Sequence, residues 1–384
     1  MDLSVFFQAA ELALEKKEYS VGQLGAKIRN LTYWEEAEIV LIGNLESRGS
    51  RSGKDLAPAA DKIREKLYEL SLPYAGIEMA DLGNLKLKES LEAYNEMFAY
   101  VLRSLLEQGK RVLILGGDQS ITYGQYLAYE ESGKEVEYVH IDSSFDLEDA
   151  DRAFHEASYN HRIFLHKPNF LFNYSNLGYQ RYFVSETEIK TLKSLNFAAL
   201  RYGNIFGNVE GTEPYIRTAD MLSFDFSAVK GTEAPGANRV SPGGFSAMEA
   251  CQMARYAGLA YQLNSLSISQ YIVEQDQVDQ TALLGAMMCW YFMDGHGNRQ
   301  DDFPRKDRKN LRKYAVQLHA SIEKINFYQH RNSGRWWMEV PYDFVNGKKP
   351  KQSRLIACSK EDYEFAKGDD IPERWWLTFN KLEK

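Results

Sequence analysis

The sequence predicts an α/β protein built on a mostly parallel β-sheet covered by helices. Short apolar runs alternate along the chain with longer helical patterns, which is the order typical of such a sheet. The chain has 384 residues, 44% of them hydrophobic and 13% aromatic. This supply of apolar side chains is large enough for the core of a sizeable α/β domain.

Five apolar runs are the predicted strands. They cover residues 37–43, 111–117, 136–142, 221–227 and 263–269. Each run is short and nearly continuous in apolar residues, as expected of strands buried on both faces. Helices are predicted between them at 57–70, 95–109, 185–195 and 246–258. Ser185 and Glu188 have the spacing of a capping box, and residues 1–20 have the pattern of an amphipathic helix without the basic start of a signal peptide.

The chain changes character near residue 304. Segment 294–310 is polar and charged and contains a proline, so we predict an α/β domain over 1–304 and a C-terminal aromatic-rich extension over 305–384. Within the extension, 325–344 reads as a β-hairpin around a glycine-containing turn. A strand, a Ser359 to Asp362 helix cap and a last helix opening at Pro372 are predicted to follow.

The extension holds most of the tryptophan of the chain. Four of the six tryptophans are Trp336, Trp337, Trp375 and Trp376. Tryptophan is enriched at interface hot spots, so a subunit or protein-partner surface is one interpretation. The alternative is that the two pairs fasten the extension to the core, and both interpretations stay open here.

Composition argues against several classes of protein. The net charge is −8 and no strongly basic segment occurs, so no nucleic-acid partner is expected. There is no apolar run of about 18 residues, so no membrane span is expected. The cysteines Cys251, Cys289 and Cys358 are far apart in sequence, which favours reduced, buried thiols and a cytoplasmic location.

Polar motifs follow four of the predicted strands. They read "GGDQS" (116–120), "IDSSFD" (141–146), "FDFSAVKGTEAPG" (224–236) and "QYIVEQDQVDQTA" (270–282). In an open parallel sheet, ligands bind at the carboxyl ends of the strands, where such loops meet. The four motifs together, in this order, resemble those of the arginase, agmatinase and formimidoylglutamase family, the ureohydrolases, over roughly residues 37–293.

The resemblance implies a three-layer α/β/α arginase-like fold and a site for two manganese ions bridged by carboxylates between two histidines. Such an ion pair makes a hydroxide that attacks a guanidinium or amidine carbon. Transferred residue by residue, the six ligand positions of the family are Gln119, Asp142, Ser144, Asp146, Asp225 and Ser227. Three carboxylates remain, and both imidazoles and one carboxylate are replaced.

Further family positions differ as well. Gln270 stands where the family has a glutamate that binds the guanidinium or amidine group, and a neutral amide cannot form that charged bidentate pair. Lys230 stands where the family has an aspartate, so its ammonium is predicted to act as a tethered cation in place of the metals. The resemblance therefore predicts no cofactor and no manganese pair. The carboxylates could instead hydrogen-bond backbone amides, or form an oxygen-only site for magnesium or calcium.

Three histidines lie near these motifs. His161 is a weak catalytic candidate, because it falls near the position of a proton-shuttling histidine in arginases. His155 and His161 also suit an ordinary role as surface or packing residues. His140, on the strand before Asp142, is predicted to be a core histidine with its hydrogen bonds satisfied.

Two functions are consistent with these residues. The first is a catalytically inactive ureohydrolase homologue whose cleft or aromatic extension serves binding or assembly. The second is a hydrolase acting on the C–N bond of a linear amidine or guanidine with an altered or single metal. Family members commonly form trimers or hexamers, so a homo-oligomer is expected, with a protein partner at the tryptophan-rich extension as a further possibility.

Overall fold

The computed structural model describes residues 3–10, 18–28, 31–73, 76–149, 154–300, 302–304, 308–318, 324–345 and 349–383. Nine strands form one sheet and four form a second. The strands are β1 Phe7–Gln8, β2 Ile39–Gly43, β3 Met79–Leu85, β4 Arg111–Leu115, β5 Val136–Ile141, β6 Leu171–Tyr179, β7 Ala198–Arg201, β8 Met221–Asp225, β9 Ser265–Ser269, β10 Leu311–Gln317, β11 Lys324–His330, β12 Trp336–Val345 and β13 Lys349–Cys358.

The α-helices of the described segments lie mainly between the strands of the large sheet. They are α1 Ala59–Glu69, α2 Leu91–Glu107, α3 Thr122–Leu127, α4 Tyr159–Leu165, α5 Glu186–Ser194, α6 Tyr202–Ile205, α7 Glu213–Thr218, α8 Ala247–Leu259, α9 Gln280–Gly297, α10 Lys360–Lys367 and α11 Glu373–Leu382. Short 3-10 turns connect several of them.

The large sheet has the order β1-β3-β2-β4-β9-β8-β5-β6-β7. Its neighbouring strands are parallel, except that the edge strand β1 pairs antiparallel with β3. Two cores cover its faces, because successive side chains of a strand point to opposite sides. In β2, Ile39 and Leu41 belong to one core, and Val40 and Ile42 belong to the other. The layers are those of a three-layer α/β/α fold.

Most of the predicted elements are confirmed. All five predicted strands and all four predicted internal helices are present, and Ser185 and Glu188 form the predicted capping box. The strands β3 and β6 were missed because polar and glycine residues interrupt their apolar pattern, and β7 was missed because it has only four residues. The prediction of a helix over 1–20 is wrong for Phe7–Gln8, which form β1 and pair with β3, with Phe7 packed into the core. Ser4–Phe6 form a short 3-10 helix, and residues 1–2 and 11–17 lie outside the described ones.

The extension is a four-stranded antiparallel sheet, ordered β10-β11-β12-β13, with α10 and α11 beside it. The predicted hairpin is confirmed by the β11–β12 pairing, and Gly334 in its turn has a φ of +72°. Ser359 and Asp362 form the predicted cap of α10, and the last helix opens after Pro372.

One of the four tryptophans, Trp337, supports the view that the extension is fastened to the core, whereas Trp336 and Trp375 pack in a hydrophobic cluster within the extension. Trp336, Trp337 and Trp375 are buried, whereas Trp376 is 45% exposed. The ring of Trp337 lies 4.6 Å from the guanidinium of Arg217 in the α/β domain. Nη2 of Arg217 also donates a hydrogen bond of 3.0 Å to the carbonyl of Cys358. A buried arginine of the core, which also pairs with Glu213 at 3.2 Å, thus has two of its partners in the extension.

Removing the extension after residue 304 should therefore destabilise the α/β domain. The truncation leaves Arg217, only 4% exposed, without its carbonyl and aromatic partners, and exposes apolar surface that Trp337 covers. Circular dichroism melts and light scattering should show a lower melting temperature or aggregation, while Trp376→Ala, a change at an exposed ring, should melt like the wild type. A fully stable, folded fragment with an altered oligomer mass would instead support a subunit surface.

Two further predictions concern the cysteines and the absence of a membrane span. Cys251, Cys289 and Cys358 are all free and buried, as predicted. In the part of the chain that the structure describes, no helix combines the length and apolarity that a membrane crossing requires.

Candidate functional site at the carboxyl edge of the sheet

The strand order brings the four polar motifs together. β4, β9, β8 and β5 are consecutive neighbours in the sheet, although they are far apart in the chain. Because these strands are parallel, their carboxyl ends meet at one edge. The loops after them therefore form one cleft, which no single motif could form alone.

The glycines after β4 set the position of Gln119. Gly116 and Gly117 have φ values of +78° and +69°, and a Cβ on Gly117 would lie 1.9 Å from the side chain of Asn44. Glycine is required in such a turn. Asp118 then caps the following turn, since its carboxylate accepts a 2.8 Å hydrogen bond from the amide of Ser120. The side chain of Gln119 is held, fully buried, at the floor of the cleft.

The six positions that the resemblance assigns to metal ligands do come together. The hydroxyl of Ser227 donates to Oδ1 of Asp142 at 2.9 Å, and the hydroxyl of Ser144 donates to Oδ1 of Asp146 at 2.9 Å. Oδ1 of Asp225 accepts from the amide of Ser227 at 2.5 Å. Serine hydroxyls thus bind the carboxylates directly.

The expectation that the carboxylates bind backbone amides is met at two of the three positions. Asp142 accepts a 3.1 Å hydrogen bond from the amide of Ser144, and Asp225 accepts the bond from Ser227 described above. Asp146 instead has a left-handed backbone, with a φ of +52°. Such strain in a residue other than glycine is more frequent at functional sites than elsewhere.

His140 lies directly beneath the carboxylates. It is fully buried, and its Nδ1 lies 2.9 Å from the hydroxyl of Tyr174, so the prediction of a satisfied core histidine is confirmed. Its Nε2 also lies 3.2 Å from Oδ2 of Asp142 and 3.6 Å from Oδ2 of Asp146. The amide nitrogen of Gln119 is 3.1 Å from the same Nε2. The sequence analysis did not predict that Nε2 of His140 contacts the carboxylates and Gln119.

The cation among the carboxylates is Arg239, and the prediction for Lys230 is wrong. Nη2 of Arg239 donates to the hydroxyls of Ser143 and Ser144 at 2.7 and 2.9 Å and lies 3.6 Å from Oδ1 of Asp142. The guanidinium stacks on the ring of Phe183 at 4.6 Å. Lys230 instead pairs with Glu233, three residues further along the chain, at 2.5 Å.

The pKa values of the three carboxylates are shifted in different directions. Burial alone would raise the pKa of Asp142, but the hydrogen bond and charge of His140, with the charge of Arg239, outweigh burial and hold it well below its usual range. Burial and the negative charge of Asp142 raise the pKa of Asp146 and of Asp225 far above the ordinary value. The lowered pKa of Asp142 favours its ionised form, and the raised pKa values of Asp146 and Asp225 favour protonation, which reduces the repulsion among the three carboxylates.

Gln270, which the resemblance assigns to a substrate-contacting position, is buried and lines the cleft. Its amide nitrogen donates to Oε2 of Glu156 at 2.9 Å, and the amide nitrogen of Asn238 donates to the same oxygen at 3.2 Å. Gln270 has a left-handed φ of +68°. Glu156 was missed, because nothing in its local sequence distinguishes it from an ordinary loop glutamate.

The resulting cleft has a volume of about 250 Å³. Its lining is Arg51, Ser52, Gln119, Ser144, Asp146, Glu156, Ala157, Asp225, Ser227, Asn238, Arg239 and Gln270. Two arginines and several carboxyl and amide groups make it strongly polar. His161 is not part of this lining; it lies on α4, with Nδ1 4.0 Å from Asp149, and His155 accepts a local hydrogen bond from the amide of Ala157.

Comparison with known proteins places this geometry in context. The model of the Arginase family matches residues 37–294. A formimidoylglutamase of Geobacillus kaustophilus is 24% identical over 248 residues, which cover 62% of this chain and 76% of that protein. The residues matched by the family model include β2 to β9 and the loops of the cleft and end before the C-terminal sheet.

Solved structures give the same picture of the fold. Formimidoylglutamase from Bacillus subtilis matches with a TM-score of 0.67 and 19% identity, over 74% of this chain and 94% of that one. Formiminoglutamase from Trypanosoma cruzi, solved with manganese, matches with a TM-score of 0.63 and 19% identity, over 69% of this chain and 95% of that one.

Proposed function

Because this chain belongs to the arginase family, we propose that it is a formimidoylglutamase-like member that has lost hydrolytic activity and uses its cleft to bind a small polar ligand. The observation that carries the proposal is that an amide and two hydroxyls stand at three of the six ligand positions, and that the hydroxyls donate hydrogen bonds to the remaining carboxylates. Ser144 and Ser227 donate to Asp146 and Asp142. The guanidinium of Arg239 supplies positive charge at the same place.

The donor set does not suit a pair of manganese ions. Manganese in proteins prefers carboxylate and imidazole ligands, and the two imidazole positions of the family are an amide at Gln119 and a hydroxyl at Ser144. The amide nitrogen of Gln119 donates to Ser223 and lies 3.1 Å from Nε2 of His140, whereas its buried oxygen has no hydrogen-bond partner among the described residues. A bridging hydroxide needs two ions to lower the pKa of the water and to stabilise the developing charge, a contribution of several kcal/mol. No other group in the described cleft supplies it.

The cleft and its polar side chains support a role in binding. The cleft keeps a volume of about 250 Å³, and Arg51, Arg239 and Glu156 are among its lining residues. The guanidinium of Arg51 pairs with Glu148 at 2.7 Å. Arg239 can hold an anionic group of a ligand, while Gln270 and Asn238 offer amide hydrogen bonds. We therefore expect a small polar molecule to bind without being hydrolysed.

The test is an assay of hydrolysis with added manganese. We expect no release of urea, ammonia or formamide from arginine, agmatine or formimidoylglutamate above background, because the attacking hydroxide cannot form. A formimidoylglutamase assayed in parallel serves as the positive control. Turnover approaching about one per second would overturn the proposal, since this is within the range of working enzymes.

A hydrolase with a single metal ion is the second candidate. It is favoured by one observation: ligand atoms of His140, Asp142 and Asp146 lie within 4.8 Å of one another. These three residues would hold the ion, which would supply an activated water. Elemental analysis of the protein used in the assay separates the two candidates, because one equivalent of bound metal per chain together with turnover would favour the hydrolase.

A further inference from the structure

A second cavity lies at the opposite edge of the large sheet. It has a volume of about 470 Å³ and is lined partly by Phe170, Phe172, Phe197, Lys381 and Leu382. Phe170 and Phe197 directly precede β6 and β7, so the cavity is at the amino ends of these strands. Lys381 and Leu382 belong to α11 of the extension. The cavity is therefore built jointly by the family core and by the C-terminal segment that lies beyond the family match.

The cation of this cavity is the ammonium of Lys381, and Glu135 is the acidic residue of its lining. Its Nζ donates a hydrogen bond to the side-chain oxygen of Asn173. It also lies 5.4 Å and 5.3 Å from the ring centres of Phe172 and Phe197. Burial lowers the pKa of Lys381 to about 8, although the charge of Glu137 acts in the opposite direction and that of Arg354 in the same one. The protonated amine is therefore incompletely stabilised by its surroundings.

The acidic groups nearby are held by another cation. Arg354 pairs with Glu135 at 2.8 Å and with Glu137 at 3.3 Å, and its guanidinium lies 3.6 Å from the ring centre of Phe172. Among the side chains that the structure describes, none of the carboxylates forms an ion pair with Lys381. The cavity thus presents one cation with spare hydrogen-bond donors and three aromatic rings.

We propose that this cavity binds a small carboxylate with an apolar body, the carboxylate pairing with Lys381 and the body packing against Phe170, Phe197 and Leu382. The volume lies within the range of small-molecule sites, which are mostly apolar with a few placed polar groups. Because Lys381 has no ion-pair partner among the described side chains, it favours a ligand with an anionic group. The aromatic rings of the lining favour a ligand whose remaining part is apolar. This site is separate from the cleft at the carboxyl edge and does not depend on its function.

The experiment is a titration of the full chain with 3-phenylpropionate, followed by calorimetry and by chemical-shift changes. We expect saturable binding that weakens at least about tenfold in Lys381→Met, because the substitution keeps the length of the side chain and removes the charge. The neutral analogue 3-phenylpropanol should bind the wild type at least about tenfold more weakly than the acid. Lys367→Met, at an exposed lysine that pairs with Glu364, should bind the acid like the wild type.

Several results would overturn the proposal. One is the absence of saturable binding up to about 10 mM ligand. Another is equal affinity of Lys381→Met and the wild type, or of the acid and the alcohol. If Lys381→Met does not fold, as judged by circular dichroism, the comparison of acid and alcohol on the wild-type protein still decides the question. None of these readouts involves hydrolysis, so they are independent of the test of the proposed function.

Discussion

A variant that combines Gln119→His, Ser144→His, Ser227→Asp and Arg239→Gln should bind manganese at least about 100-fold more tightly than the wild type. The changes place two imidazoles and one carboxylate at the positions that the resemblance assigns to ligands. They also remove the hydroxyl donors that engage Asp142 and Asp146. The guanidinium that lies 3.6 Å from Asp142 is removed as well. Calorimetric titration with manganese measures the gain.

The contribution of Arg239 can be separated from that of the ligands. The triple variant that keeps Arg239 should bind manganese less tightly than the fourfold variant, because a cation beside the carboxylates repels the ion. Lys230→Asp is the matched control at the other cationic position of this loop. It should add little, because Lys230 is paired with Glu233. A fourfold variant that folds and binds manganese no better than the wild type would show that the transferred ligand positions are wrong.

The substitution Arg64→Met should destabilise the protein by about 3–5 kcal/mol, the usual effect of breaking a buried ion pair. Arg64 is fully buried on α1. Its guanidinium donates to Asp81 at 2.7 Å, to Asn84 at 2.5 Å and to the carbonyl of Gly83 at 2.8 Å. Removing it leaves the carboxylate of Asp81 buried with much of its compensation gone.

Urea unfolding at equilibrium, followed by circular dichroism, measures this free energy. Arg181→Met is a matched control, since Arg181 pairs with Glu186 at 2.8 Å on the surface and exposed pairs contribute only about 0–1 kcal/mol. If Arg64→Met changed the free energy of unfolding as little as Arg181→Met does, the stabilising role assigned to the buried ion pair of Arg64 would be wrong. The pair of variants thus tests whether burial decides the strength of the interaction.

The fold could be predicted to a large extent because its signals are local. Continuous apolar runs marked β2, β4, β5, β8 and β9, and the spacing of Ser185 and Glu188 marked a helix start. Strands with mixed composition, such as β6, were missed because their burial comes from neighbours that are distant in sequence. The edge strand β1 was taken for part of a helix for the same reason, since Phe7 is ordered by its pairing with β3.

For the candidate site, too, the local features were predicted from the sequence and the contacts between distant residues were not. The sequence by itself determined which residue types stand at the six ligand positions, since Gln119, Ser144 and Ser227 are read directly from motifs in order. Only the tertiary structure decided which groups compensate the carboxylates. Arg239 carries the charge assigned to Lys230, and His140 contacts the carboxylates from beneath. Motif spacing records positions along the backbone, whereas electrostatic compensation depends on distances through space between side chains that the strand order β4-β9-β8-β5 brings together.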